Sequence, residues 1–116
     1  METKILTSIK KQLGIDESVT QFDDQIMMGI NQAISALTQI GIGPTGGFSL
    51  STGNETWVEF LGEGTNFILA QGYIYCKTKM FFDPPANQTL VSLLERQASE
   101  NEWRLRVELE SSQGGE

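Results

Sequence analysis

Histidine is absent from this chain, cysteine occurs once and proline three times. Without histidine there is no side chain that titrates near neutrality in its ordinary state, and no imidazole ligand for a metal. The lone Cys76 excludes an internal disulfide and a cysteine zinc site, and it fits a reducing compartment. No apolar run reaches the length of a membrane span. Met1, Glu2, Thr3 and Lys4 lead into an amphipathic pattern, not into the apolar segment of a secretory signal. The Asn-X-Thr sites at Asn54 and Asn87 therefore carry no weight as glycosylation acceptors. Positive charge is missing from the middle: no Lys or Arg lies between Lys11 and Lys77.

What the middle does hold is acid. Asp16, Glu17, Asp23, Asp24, Glu55, Glu59 and Glu63 carry the whole net charge of −7, because the two ends balance at eight acids and eight bases. Such a region does not bind nucleic acid by neutralising phosphates. It is either a solvated face that favours solubility or a surface that repels a polyanion. A chain of 116 residues is one domain with a modest core.

Apolar spacing predicts an all-α protein, a small bundle of about four helices. The first runs from about Thr3 to Leu13, with Ile5, Leu6, Ile9 and Leu13 on one face and Gly14 as its stop. The second runs from about Phe22 to Ile40 on Phe22, Ile26, Ile30, Ala33, Leu37 and Ile40, with Asp23 and Asp24 at its positive end. Gly41 to Thr56 is a long loop between the second and third helices, and five of its sixteen residues are glycine. Loops of that length are functional or disordered, and Phe48 to Ser51 suits a short extended piece. A short helical turn follows at about Thr56 to Leu61, placing Trp57 and Phe60 on one side.

The third helix, about Asn66 to Phe82, is apolar almost all round, which predicts burial on every side, in the core alone or in the core and a subunit contact. A pair of strands broken at Gly72 is the alternative, and the lack of strict alternation favours helix. Asp83-Pro84-Pro85 ends it. A charged helix of about 24 residues, roughly 36 Å, then runs from Asn87 to Glu110. Leu90, Leu93, Leu94, Ala98, Leu105 and Leu109 form its stripe, and Glu100–Arg104, Arg104–Glu108, Glu102–Arg106 and Arg106–Glu110 are opposite charges at i,i+4. The domain is expected to end at residue 110, with 111–116 a flexible tail.

Chemistry is scarce. Gly41-Ile42-Gly43-Pro44-Thr45-Gly46 spells G-x-G-x-x-G, but a helix precedes it and Pro44 interrupts it, so it lacks the strand–turn–helix context of a dinucleotide site. Gly47-Phe48 stand where a phosphate loop needs Lys-Ser/Thr. Cys76 reads as a small packed hydrophobe or, less well, a reactive thiol. No nucleophile, base and oxyanion donor come together, and neither enzyme activity, cofactor nor metal is expected. Trp103 stands apart. Counting from Leu90, the apolar stripe covers about −60° to +100°, whereas Trp103 falls near 220° and Val107 near 260°. This second wall either covers helix one or the domain edge, or anchors against a neighbouring copy.

The run Tyr73-Ile74-Tyr75-Cys76-Lys77-Thr78-Lys79-Met80-Phe81-Phe82-Asp83-Pro84-Pro85, followed by Leu90 to Leu94 and Glu102-Trp103-Arg104-Leu105, resembles the head–tail connector (adaptor) family of tailed bacteriophages. Leu13-Gly14-Ile15-Asp16, Asn31-Gln32-Ala33 and Trp57-Val58-Glu59-Phe60-Leu61 agree with it. The resemblance implies a structural ring of about a dozen copies in the virion neck, assembled in the host cytoplasm. Its implied partners are the portal protein and the next head-completion (stopper) or tail component. DNA would pass through without sequence-specific binding, and no membrane is involved. Candidate contact residues are Phe48, Leu50, Trp57, Asp83, Pro84, Pro85, Trp103, Arg104 and Val107. The seven acids are candidates for the channel or its rim. The competing function is a small acidic binding protein acting alone, of the DNA-mimic inhibitor type.

Overall fold

A computed structural model describes residues 3–62 and 67–114. Five helices follow in order: α1 Ile5–Leu13, α2 Asp23–Gln39, α3 Trp57–Leu61, α4 Phe67–Phe82 and α5 Gln88–Gly114. The fold is all-α, as the spacing predicts. Among the described residues there is no strand, and Phe48 to Ser51 pairs with nothing in sheet fashion. One isolated antiparallel bridge joins Lys4 to Thr56, ahead of α1 and α3. It is closed by Ile5 N–H donating to the Glu55 carbonyl and Trp57 N–H donating to that of Thr3, both at 3.0 Å.

Each helix end has a local cause. Gly14 ends α1 in the left-handed region at φ 82°, where an L side chain would be strained. The short α3 is held by a reciprocal cap: Thr56 Oγ1 accepts from the Glu59 amide, and Glu59 accepts from the Thr56 amide at 2.8 Å. The expected start of α4 at Asn66 lies outside the described residues. Helix α5 continues to Gly114, past the expected end at Glu110; Gly115 and Glu116 are also outside the described residues. Its 27 residues span about 40 Å by helical rise. That nearly equals the longest dimension of the subunit, 46 Å.

The core gathers Ile5 and Ile9 of α1, Ile26, Ile30, Ile34 and Leu37 of α2, Phe60 of α3, Ile74 of α4 and Leu105 of α5. Helix α4 lies at its centre, packed on α1, α2 and α5. It is not buried on every side, however. Leu69, Ala70, Tyr73, Ile74 and Cys76 face inward, while Ile68 is 74% exposed and Phe81 44%. Gly72 is not a break between strands. It is the point where α5 comes closest, since a Cβ there would lie 2.5 Å from Asn101 Nδ2. The buried Asn101 amide donates to the Leu69 carbonyl at 3.3 Å, which ties α5 to α4.

The long glycine-rich loop is anchored. Asn31 grips Leu50 from both sides, its Oδ1 accepting from the Leu50 amide at 2.7 Å and its Nδ2 donating to the Leu50 carbonyl at 3.0 Å. Ile42 and Leu50 are buried, and Phe48 stacks on Phe60 at 5.2 Å. A second clamp holds the α1–α2 connection. Lys10, only 2% exposed, donates to the Val19 carbonyl at 2.7 Å and the Glu17 carbonyl at 3.2 Å, and pairs with Asp23 at 2.9 Å. Removing one partner from so buried a charge typically costs about 3–5 kcal/mol, so this cluster fixes the angle between the two helices.

Candidate functional site

The structure divides the nine candidate contact residues. Trp57 is buried and donates from Nε1 to Ser8 Oγ at 3.0 Å, with its ring edge-on to Phe67. Leu50 is buried beneath Asn31, and Phe48 is half-buried on Phe60. These three are used within the subunit, so Trp57 and Leu50 offer a neighbour no surface. The reason is the loop, whose long-range contacts leave no trace in periodicity. Asp83, Pro84, Trp103, Arg104 and Val107 are exposed, with Pro85 half-buried. Trp103 is 64% exposed, so it does not cover α1 or the domain edge.

Sequence reasoning missed most of the exposed apolar side chains. Leu90 and Leu93 belong to the inward stripe of α5, yet each is 49% exposed. A stripe some 160° wide is broader than one neighbouring helix covers, and its Leu93 edge spills outward. Together with Ile68, these leucines line a groove of 740 Å³ between α4 and the N-terminal half of α5. Its floor includes Leu69, Gly72, Tyr75 and Cys76, and its polar rim includes Gln97, Lys79 and Arg104. The signal available in the sequence was the width of the stripe itself. On a separate part of α5, Trp103 and Val107 form a ridge one turn long.

The acids also divide. Glu55 accepts from the amides of Ser51 at 2.8 Å, Thr52 at 3.1 Å and Gly53 at 3.0 Å. Desolvation pushes its carboxyl up, but these amides and its own outweigh that and hold it at about 2. Glu59 is occupied in the α3 cap, and Asp23 in the Lys10 clamp. Asp16 accepts from the Ser18 amide, which lowers its pKa. Glu17 and Asp24 are exposed, and Glu63 lies outside the described residues. The expected ion pairs Glu102–Arg106 and Glu100–Arg104 close at 3.0 Å and 3.9 Å. Both are exposed and each is worth a few tenths of a kcal/mol.

Burial raises the pKa of the Cys76 thiol, which suits a packed side chain. Among the described residues, no group of three or more Cys, Asp or Glu side chains is placed to hold a metal ion. No helix among them is long and apolar enough to cross a membrane. What the surface offers is contact: a groove, a ridge and a set of carboxylates.

A family model described as phage connector protein matches residues 5–112. This chain belongs to the phage connector protein family. Neither a curated protein nor a solved structure matched it. The match takes in all of α1 to α4 and nearly all of α5, so the core, the anchored loop, the groove and the ridge all lie within the matched residues. For a connector, surfaces that join one protein to another are the functional site.

Proposed function

We propose that this connector forms a ring of about a dozen copies beneath the portal of a filled capsid. The ring presents a surface to the next head-completion (stopper) or tail component, and DNA passes through its hole without sequence-specific contact. The protein is structural, not an enzyme. It works in the neck of the virion after assembly in the host cytoplasm. The observation that carries this reading is the family match over residues 5–112. Two further features support it. The exposed apolar groups of α4 and α5 suit a subunit that gains from neighbours. The exposed Asp83-Pro84 corner and the length of α5 suit a projection toward a partner.

Glu17 and Asp24 are the acids we assign to the channel or its rim, because Asp16, Asp23, Glu55 and Glu59 hold local structure. The same division speaks against a DNA mimic acting alone, which needs its carboxylates free along one rigid face. Co-expression with a portal ring tests the reading. The connector is expected to co-purify with the portal and to add a ring of density below it in electron micrographs. A protein that never associates with portal rings, free or in particles, is not this component.

A further inference from the structure

We propose that the groove between α4 and the N-terminal half of α5 receives the Trp103–Val107 ridge of a second copy of this chain. The inference rests on the ring reading above and names the two surfaces that meet. The groove encloses 740 Å³, and its rim leaves Ile68, Leu90 and Leu93 in water. The groove follows α5 from Leu90 to Arg104, and the ridge lies beside its far end, about a quarter-turn around the helix from the Leu93 edge. One subunit therefore carries two unpartnered apolar surfaces on different sides of the same helix.

Two observations select a second copy as the occupant. A groove between two helices accepts a helix that presents apolar anchors at i and i+4. Trp103 and Val107 are such a pair, exposed on α5 itself. Charge points the same way. The charged side chains lining the groove are Lys79 and Arg104, both cations. Lys79 already meets Asp83 at 2.9 Å, and Arg104 lies 3.9 Å from Glu100. The helix segment around the ridge, 99–110, carries four carboxylates against two guanidinium groups. No carboxylate lines the slot, and Lys79 is its one cation outside the ridge segment itself, so the acidic ridge segment of one copy meets a slot whose lining does not repel it. Slot and ridge are different surfaces, and in a ring the contact is head-to-tail rather than the reciprocal exchange of a two-fold dimer. Each copy gives its ridge to one neighbour and its groove to the other, and such a contact repeats until it closes on itself.

Photo-crosslinking in the full chain decides it. Leu93 is replaced by benzoylphenylalanine, isotope-mixed copies are irradiated with and without the portal protein, and the products are mapped by mass spectrometry. The expected result is a link from position 93 of one copy to the segment around Trp103 of another, with ladders beyond the dimer. Trp103→Glu is expected to reduce that link about tenfold or more, as loss of an interface anchor does. Trp103→Ala and the far-ultraviolet spectrum of both variants show whether the subunit still folds. No link in either condition, a link elsewhere, or a link unchanged by both Trp103 variants overturns the proposal. A chain that binds portal rings yet gives no such link refutes this pairing and leaves the connector reading standing. The link without portal capture does the reverse.

Discussion

Glu55 is an acid that the fold spends on itself. Its carboxylate closes the turn formed by Ser51, Thr52 and Gly53, directly before the bridge that joins Lys4 to Thr56. The group's pKa falls from 4.5 to about 2 on folding. A carboxyl depressed in the folded state stabilises above its unfolded value, and that stability is lost as pH falls through the folded value. The contribution is therefore full above about 4.5 and declines between about 4.5 and 2. Glu55→Gln is expected to be less stable than the wild type in urea at neutral pH. The two proteins should converge as the solution approaches pH 2. The residue is half-buried but its turn lies at the surface, so solvent screening keeps the difference small. A gap that stays constant across the whole acid range would mean that the carboxylate's charge contributes nothing and only its shape matters.

At the scale of elements, the helices were legible because their causes are local. Gly14, the paired Asp23 and Asp24, and Asp83-Pro84-Pro85 each mark a boundary within a residue or two of its place in the structure. The Trp103 wall was legible too, since an angle on a helix follows from counting. What stayed hidden depends on who lies opposite. Nothing local marks Asn31 as the residue that grips Leu50 nineteen positions away, or Lys10 as the buried clamp of the α1–α2 connection. The same holds for Gly72. It is a break only in the strand-pair alternative; within the expected helix nothing local marks its role, which is to admit Asn101. Alanine at Gly72 gains about 1 kcal/mol of helix propensity. It also displaces a buried amide that is bonded to Leu69 and Gln97, which costs about 1–3 kcal/mol. Gly72→Ala is expected to lose up to about 2 kcal/mol net, measured by urea unfolding. Gly29→Ala is a useful contrast. Its Cβ would meet Phe81 at 2.9 Å and the methyl of buried Thr78 at 3.3 Å; the Phe81 ring is 44% exposed and can swing aside and Thr78 need give only slightly, so the loss should be smaller than at Gly72. A stabilised Gly72→Ala protein would show that α4 and α5 slide past each other easily.

At the scale of the molecule, the sign of the charge matters more than any single acid. The chain carries −7, all of it between Lys11 and Lys77. A ring whose hole attracted phosphates would hold DNA through several salt-sensitive contacts and slow its passage. A hole of like charge lets the duplex slide, with the repulsion fading over roughly 8–10 Å at physiological salt. Asp23 is a poor place to test this, because it pairs with buried Lys10 and its loss would disturb α1 and α2. Glu17 and Asp24 are better, being exposed beside that clamp without forming its ion pair. With both changed to Lys, assembled particles are expected to release DNA more slowly, most visibly at low salt where screening is weakest. Changed to Gln and Asn, they should show a smaller delay of the same kind, since the repulsion is lost but no attraction replaces it. Release kinetics identical to the wild type at every salt concentration, in particles that assemble normally, would put these two acids on the outer wall. The negative middle of the chain would then serve the solubility of the free subunit rather than the passage of DNA.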